Sequence, residues 1–259
     1  MKDAEKYFSQ IKKRIAESQG CVLILDFDGT LSKIAITPKD AFLKKSTKNI
    51  LLKCLAKYPV AIASGRTLKD VKQKVGIKKI NYAGNHGLDW QIAGKKHRVK
   101  VPQKIKKAID RAANELSKFL ISYPGIIFEN KKLTLALHYR LLEKIKTRKF
   151  EKDFEKFILQ PTYENLDLIK NIKAFELRPK INWTKADFVK VLLKYVKKKQ
   201  TKYPLAIYIG DDVTDEDVFL GVKNIVSIRV GKNKKSSAKY FIKSQKEVNK
   251  FLSRLCSIN

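Results

Sequence analysis

The stretch CVLILDFDGTL, residues 21–31, joins an apolar run to two carboxylates and a glycine. An unbroken apolar run of this length is typical of a strand that a parallel sheet buries on both faces. Asp26 and Asp28 follow the run, and Gly29 allows a tight turn in which backbone N–H groups approach an anion. Open α/β sheets bind ligands at the carboxyl ends of their strands, so this junction predicts a functional site. The alternative is an ordinary strand-to-turn junction, where Asp and Gly are common.

Three further apolar runs predict additional strands of the same sheet: VAIA (60–63), LAIYI (205–209) and IVSIRV (225–230). Between the first two strands, apolar residues from Ile50 to Leu55 have helical spacing. Thr67 and Asp70 have the spacing of a capping box that opens the next helix. Strands that alternate with helices indicate an α/β fold with a Rossmann-like parallel sheet.

The middle of the chain has a different pattern. Apolar residues from Ile105 to Phe119 step by three and four, which predicts a helix, and short apolar segments on either side of ENKK (129–132) predict an antiparallel hairpin. A second helix is predicted from Leu141 to about Leu159, followed by a strand pair around Leu166 to Leu177. We therefore expect an α+β domain over residues 99–178, inserted between core segments 1–98 and 179–259.

A second acidic stretch, GDDVTDED (210–217), follows the strand LAIYI. Its acidic residues would repel one another without a bound cation, and oxygen ligands of this kind suit magnesium. The alternative is an acidic helix start, which the helix dipole favours. The strand VAIA likewise ends in Ser64, Gly65 and Arg66, a hydroxyl, a flexible backbone and a cation suited to a phosphate oxygen.

The composition sets limits on the kind of protein. A chain of 259 residues with 44% hydrophobic content can bury a substantial core. Cys21, Cys54 and Cys256 lack paired or zinc-ligand spacing, which favours a reducing, cytoplasmic setting. The charged first residues do not resemble a signal peptide, and apolar runs are too short to span a membrane, so we expect a soluble protein.

The net charge of +32 comes from 57 Lys and Arg against 25 Asp and Glu. Such a charge is compatible with a nucleic-acid or membrane-surface partner. Because the lysines are scattered along every predicted element, we favour a solvated lysine-rich surface. A positive field of this kind would still attract anionic substrates.

These motifs together resemble the haloacid dehalogenase superfamily, whose four motifs would be DFDGTL from Asp26 to Leu31, the strand-end Ser64, Lys185 and GDDVTDED (210–217). Six segments, in order and spacing, are similar to the trehalose-6-phosphate phosphatase family: LDFDGTL, AIASGR, YAGNHGLDW, ENKKLTLALHYR, FELRPKINWTKAD and YIGDDVTDEDVF. The family often has WDKG where this chain has Trp183-Thr184-Lys185-Ala186, which keeps the lysine. The lysine excess is not a family trait.

The resemblance implies a reaction through an aspartyl-phosphate. Asp26 would attack phosphorus, and Asp28 would act as general acid on the leaving oxygen and then as base on water. Ser64 and Lys185 would hold the phosphoryl oxygens. Mg²⁺ would be bound by the Asp26 carboxylate, the Asp28 backbone carbonyl and Asp211. Asp212 and Asp215 would support these ligands, although either could bind the metal directly.

In the family, the inserted domain is a cap that closes over the sugar. The residues that would bind the substrate are Gly65, Arg66, His86, Glu129, Lys131, Arg140 and Glu176, with Lys173 less certain. Without the family, Glu129, Lys131 and Arg140 could equally form a charged surface hairpin, and His86 could be structural. His97 and His138 are expected to be structural or solvated.

The resemblance predicts hydrolysis of trehalose 6-phosphate to trehalose and phosphate, with the synthase that makes this substrate as a candidate partner. A related phosphatase for another sugar phosphate, such as sucrose phosphate or glycosyl-glycerate phosphate, is the nearest alternative. A basic nucleic-acid-binding protein on the same scaffold is a second alternative, but no recognised nucleic-acid motif is present.

Overall fold

A computed structural model describes residues 1–18, 20–198 and 204–258. The chain divides into two compact units. Unit 1 comprises Met1–Ile34, Ala41–Arg98 and Trp183–Asn259, and unit 2 comprises Ala35–Asp40 and Val99–Asn182. Among the described residues, no helix combines the length and the apolar character that a membrane span requires.

The strands are numbered in chain order. They are β1 (Lys2–Asp3), β2 (Cys21–Leu25), β3 (Val60–Ala63), β4 (Asn81–Gly84), β5 (Asp89–Ile92), β6 (Lys95–Arg98), β7 (Ile127–Asn130), β8 (Leu135–His138), β9 (Leu166–Asn171), β10 (Ala174–Pro179), β11 (Leu205–Gly210), β12 (Ile225–Val230) and β13 (Tyr240–Ile242). The helices are α1 (Phe8–Ala16), α2 (Lys45–Lys57), α3 (Leu68–Val75), α4 (Gln103–Phe119), α5 (Lys144–Phe157), α6 (Lys185–Lys197), α7 (Val213–Gly221) and α8 (Gln245–Cys256).

Unit 1 is built on a nine-stranded sheet with the order β1-β13-β12-β11-β2-β3-β4-β5-β6. Neighbouring strands from β1 to β4 in this order run parallel, and β5 and β6 add antiparallel strands at one edge. The central strands β2 and β11 are buried along their whole length, as their apolar sequences require. Since β2, β3 and β11 are adjacent and parallel, their carboxyl ends lie at one edge of the sheet.

Unit 2 contains a four-stranded antiparallel sheet with the order β7-β8-β10-β9. In α4, the helical apolar spacing becomes a buried face that includes Ile105, Ile109 and Leu116. In α5, Phe150 and Phe154 are fully buried, and the Phe154 ring stacks on Phe175 of β10 at 4.7 Å between centroids. The aromatic and aliphatic side chains thus form the core of this unit.

The α/β fold class, with a parallel-sheet core and a separate antiparallel sheet, is confirmed. The four strands expected from apolar runs are present at β2, β3, β11 and β12. The helix expected over 141–159 is shorter, at Lys144–Phe157, because Leu142 forms a turn with Tyr139 and Glu143 precedes the first helical residue. The sequence did not identify β6, whose four residues are all polar and exposed at the sheet edge.

Candidate active site

Asp26 is the first residue beyond β2, and its backbone extends the pairing with β11. Its N–H donates to the Ile209 carbonyl at 2.9 Å, and the residue is only 4% exposed. The following residues turn sharply, since the N–H groups of Leu31 and Ser32 both donate to the Phe27 carbonyl. This turn gives Asp26 and Asp28 different partners: Asp26 lies in the buried interior, and Asp28 remains partly exposed.

A lysine from a distant part of the chain contacts the Asp26 carboxylate. The Lys185 Nζ donates to Asp26 Oδ1 at 2.9 Å and to Asp215 Oδ1 at 2.8 Å. Lys185 is the first residue of α6, whose start is fixed by a capping box between Thr184 and Asp187. With 1% of its surface exposed, the ammonium is compensated by these two carboxylates.

Asp211, the first residue after β11, lies beside the turn that follows β2. Thr30 Oγ1 donates to Asp211 Oδ1 at 2.8 Å. Gly29 has φ +79°, and a Cβ on this residue would lie 2.0 Å from Asp211 Oδ2. A side chain at position 29 would therefore be strained and would displace the Asp211 carboxylate.

The carboxylates of Asp26, Asp211 and Asp215 each have an oxygen within 4.8 Å of the others. Three such groups carry a formal charge of −3, and Lys185 supplies one positive charge. A hard divalent cation prefers oxygen ligands of this kind, and it would neutralise the excess charge. The donor set therefore fits a magnesium-type ion.

The two interpretations of the acidic stretch 210–217 apply to different residues within it. Asp212 precedes α7 and accepts from the Val213 N–H at 2.7 Å, while Asp215 Oδ2 accepts from the Asp212 N–H at 2.9 Å. These contacts complete a capping box, as expected for an acidic helix start. Asp211 lies outside the helix, and Asp215 belongs both to the cap and to the carboxylate group.

The pKa values of Asp26, Asp211 and Lys185 are all shifted from their ordinary values. Burial raises the pKa of Asp26 well above its ordinary value, and Lys185 opposes this shift. Burial, together with the charge of Asp215, raises the pKa of Asp211 to about 8. For Lys185, burial lowers the pKa, but the charges of Asp215 and Asp26 outweigh it and raise the pKa above its ordinary value. The raised pKa values favour protons on Asp26 and Asp211 beside a charged Lys185.

The loop after β3 contributes Ser64, Gly65 and Arg66. Ser64 is 1% exposed, and its Oγ accepts from the Arg66 N–H at 3.1 Å. Gly65 lies against the His86 ring, so that a Cβ would approach the ring Cε1 to 2.6 Å. The buried hydroxyl and the close approach of backbone are both suited to an anion site.

Arg66, which the sequence predicts as a phosphate ligand, contacts two carboxylates. Its Nε donates to Asp28 Oδ2 and its Nη2 to Asp28 Oδ1, both at 2.7 Å. Its Nη1 donates to Asp70 Oδ2, also at 2.7 Å. This bidentate pairing orients the Asp28 carboxylate, which identifies a contact that the sequence did not suggest.

The segment Asn85–Gly87 has left-handed backbone at three consecutive residues, with φ of +47°, +57° and +89°. The conformation is held by the His86 N–H, which donates to the Ser64 carbonyl at 3.0 Å, and by the Gly87 carbonyl, which accepts from Trp183 Nε1 at 2.8 Å. The buried His86 contacts the loop after β3, and the neighbouring Gly87 contacts the residues that precede α6. The segment Asn85–Gly87 therefore connects these two loops.

In unit 2, Glu176 is buried and accepts two hydrogen bonds on one oxygen. Lys131 Nζ donates to Glu176 Oε1 at 3.0 Å, and Thr134 Oγ1 donates to the same atom at 2.8 Å. Glu129 and Glu176 both lie opposite Ala136 in the register of the sheet, so they share one face. The structure therefore brings together Glu129, Lys131 and Glu176.

Arg140 and the histidines have other contacts. Arg140 donates to the Ile172 carbonyl at 3.1 Å, in the turn between β9 and β10, and Lys173 Nζ lies 5.6 Å from the Tyr139 ring centroid. His138 Nε2 hydrogen-bonds Glu129 Oε2 at 2.8 Å, a contact that the sequence did not indicate. His97 is exposed on β6 and stacks on Trp90.

The comparisons with known proteins agree over most of the chain. The trehalose-phosphatase family model matches residues 24–253. Trehalose-phosphate phosphatase B of Arabidopsis thaliana is 30% identical over 255 residues, which are 93% of this chain and 67% of the relative. A trehalose-phosphate phosphatase of Mycobacterium marinum is 32% identical over 241 residues, covering 91% of this chain and 61% of the relative.

A solved structure has a similar fold. The C-terminal domain of C. albicans trehalose-6-phosphate phosphatase superimposes with a TM-score of 0.82 at 24% identity, covering 96% of each chain. The fold, the arrangement of Asp26, Lys185 and Asp211, and the match over residues 24–253 are thus mutually consistent. The chain belongs to the trehalose-phosphatase family.

Proposed function

We propose that this chain hydrolyses trehalose 6-phosphate to trehalose and phosphate through an aspartyl-phosphate on Asp26. The single observation that carries the mechanism is the buried Asp26 carboxylate, held at 2.9 Å by the Lys185 ammonium beside two further carboxylates. A carboxylate fixed in this way can attack phosphorus, which divides a difficult hydrolysis into two easier steps. Membership of the family supports trehalose 6-phosphate as the substrate.

The phosphoryl group is bound by the loop after β3 and by Lys185. The Ser64 hydroxyl and the Gly65 backbone hold its oxygens, while the lysine offsets the repulsion between an anionic nucleophile and an anionic substrate. His86 maintains the position of Gly65 through the ring contact. These groups stabilise charge on the transferring phosphoryl group without supplying a proton.

Asp28 transfers the proton in both steps. It protonates the leaving sugar oxygen when the aspartyl-phosphate forms, and it deprotonates the water that attacks this intermediate. In the structure, both of its oxygens accept from Arg66. Arg66 therefore orients the general acid and base, and it is also a proposed ligand of a phosphate oxygen.

Mg²⁺ is the proposed metal, held by the Asp26 carboxylate, the Asp28 backbone carbonyl and Asp211. When bound, it would offset negative charge at the carboxylates and phosphate. The Asp215 oxygens already accept from Lys185, Tyr208 and the Asp212 N–H, which supports a positioning role for Asp215.

The sugar is recognised by unit 2. Glu129, Lys131, Arg140 and Glu176 supply carboxylate, ammonium and guanidinium groups, and such groups form charge-assisted hydrogen bonds with hydroxyls. Glu129, Lys131 and Glu176 occupy one part of the sheet face, which supports a shared ligand. Lys173 is a further candidate.

A cytoplasmic location is part of the proposal, because the three cysteines are free and buried, as is usual in a reducing compartment. The synthase that produces the substrate is a proposed partner.

The test is phosphate release from a panel that contains trehalose 6-phosphate, sucrose 6-phosphate, glucosyl-glycerate phosphate and glucose 6-phosphate, with Mg²⁺ or with a chelator. We expect kcat/KM for trehalose 6-phosphate to exceed that for glucose 6-phosphate by about 100-fold, or ~2.7 kcal/mol, since the second sugar adds binding energy in the transition state. Asp26→Asn is the control and should be inactive. Equal kcat/KM for both sugar phosphates would remove the trehalose assignment, and an active Asp26→Asn protein would remove the mechanism.

A further inference from the structure

Tyr208 has a buried hydroxyl that contacts the lysine and carboxylate network. It lies on β11 within the apolar run LAIYI, is fully buried, and donates to Asp215 Oδ1 at 2.6 Å. Phenylalanine would satisfy the apolar surroundings without the cost of burying a hydroxyl. The role of the hydroxyl must therefore lie in its hydrogen bond to Asp215.

Asp215 Oδ1 is shared between two donors. Lys185 Nζ lies 2.8 Å from the same oxygen that accepts from the Tyr208 hydroxyl. The second oxygen of Asp215 accepts from the Asp212 N–H at 2.9 Å. Gly210 also approaches the carboxylate so closely that a Cβ would lie 2.3 Å from Oδ2, so Asp215 has little room to move.

The tyrosine ring has a defined packing partner in unit 1. It packs edge-on against Phe219 of α7, with ring centroids 5.9 Å apart and an interplanar angle of 80°. Phe219 itself is buried. The hydroxyl position is thus determined by the strand, the helix and the carboxylate together.

The Lys185 ammonium is divided between Asp215 and Asp26. In a buried site, each charge interaction is stronger than in water, so the balance between the two carboxylates decides where the ammonium lies. A hydrogen bond from Tyr208 disperses negative charge on Asp215 Oδ1. Loss of this hydrogen bond would strengthen the attraction between Asp215 and Lys185, and it would weaken the contact between Lys185 and Asp26.

We propose that Tyr208 is a positioning residue whose hydroxyl, through Asp215, keeps the Lys185 ammonium directed at the Asp26 nucleophile. This inference rests on the proposed phosphoryl transfer to Asp26. It adds a residue that does not touch the substrate, and its effect reaches the Asp26 carboxylate through three hydrogen bonds in series.

The test compares Tyr208→Phe with Tyr82→Phe. Tyr82 is a matched control because it is also a buried tyrosine of the unit 1 sheet, and its hydroxyl donates to the Ile77 carbonyl at 2.8 Å. Both variants lose one buried hydrogen bond. We expect Tyr208→Phe to lower kcat by about tenfold or more, with KM within about twofold of the wild type, while Tyr82→Phe keeps kcat within about twofold.

The assay uses p-nitrophenyl phosphate beside trehalose 6-phosphate, so that the Asp26 chemistry is measured independently of the sugar assignment. Wild-type inactivity on both substrates would refute the proposed function. An active wild type with an equally active Tyr208→Phe, or an equal loss of kcat in Tyr82→Phe, would refute the inference alone. Unfolding midpoints are recorded so that every assay runs on folded protein.

A second measurement does not depend on turnover. Beryllium fluoride mimics a phosphoryl group on a carboxylate, and its affinity in the presence of Mg²⁺ can be measured by calorimetry. We expect the dissociation constant to rise about tenfold in Tyr208→Phe and to stay unchanged in Tyr82→Phe. If Tyr208→Phe does not fold, Phe219→Leu retains the hydroxyl but loosens the ring, and it should lower kcat by about threefold or more. An unchanged kcat and an unchanged affinity in the folded variant would overturn the proposal.

Discussion

Removal of the divalent cation should make the stability of unit 1 fall as the pH rises. Without a bound cation, burial and the charge of Asp215 raise the pKa of Asp211 from 3.8 to about 8. The folded state therefore keeps this proton up to about pH 8, whereas the unfolded chain releases it near pH 4. Between these values the folded state binds more protons than the unfolded state, so the free energy of unfolding decreases with pH.

The magnitude follows from the size of the shift. A change of about four pKa units lowers the free energy of unfolding by an amount on the order of 5 kcal/mol. This decrease is absent below about pH 4 and complete above about pH 8. Mg²⁺ should counter this loss, because it binds the ionised carboxylates in competition with protons. At a concentration 100 times its dissociation constant, Mg²⁺ raises the free energy of unfolding by about 2.7 kcal/mol, which raises Tm by roughly 5–10 °C for a unit of this size.

The assay is thermal unfolding by circular dichroism at pH 5, 6.5 and 8, with a chelator or with Mg²⁺. We expect the stabilisation by Mg²⁺ to be large at pH 8 and small at pH 5. Asp211→Asn is the control, and its stability should depend less on both pH and Mg²⁺ because the proposed ligand is absent. A metal-free protein that becomes more stable from pH 5 to pH 8, or an equal Mg²⁺ effect at both values, would refute the reasoning.

Three substitutions test other contacts. Lys185→Met should abolish phosphatase activity and destabilise the protein by about 3–5 kcal/mol at pH 8 in urea unfolding, since it removes the cation from a buried ion pair, and equal stability to the wild type would contradict this. Gly29→Ala should raise the Mg²⁺ concentration for half-maximal activity by about tenfold, because its Cβ collides with Asp211, and an unchanged activation curve would count against the metal site. Asp70→Asn should lower kcat by about three- to tenfold with KM unchanged, because Arg66 loses one of its carboxylates, and a change in KM alone would argue against a positioning role.

The elements that carry the site could be predicted because strong local patterns define them. Apolar runs that are followed by an acidic residue or a serine indicate β2, β3 and β11. The parallel arrangement of these strands brings Asp26 and Asp211 together. The edge strand β6 could not be found in this way, since an exposed strand of four polar residues has no apolar period. Hydrophobic periodicity identifies elements with a buried face, and this strand has none.

Side-chain partners were harder to predict than backbone elements. The sequence predicts Arg66 as a phosphate ligand but does not indicate its contact with Asp28, which depends on how far the side chain reaches from the loop after β3. The contact between His138 and Glu129 depends on the register of β7 and β8, which the residues alone do not specify. Tyr208 lies in an apolar run, and a tyrosine hydroxyl at such a buried position indicates a polar partner, although the sequence does not identify that partner as Asp215.

The position of β2 in the sheet has a consequence for synthesis of the protein on the ribosome. One neighbour of β2 is β3, but the other is β11, where Cys21 pairs with Leu205. At about 5–20 residues per second, translation leaves this side of an apolar strand without its partner for roughly 10–40 s. An open apolar edge can pair with another nascent chain. Slower initiation or a chaperone that covers β2 during this interval would therefore raise the yield of folded protein without any change to its sequence.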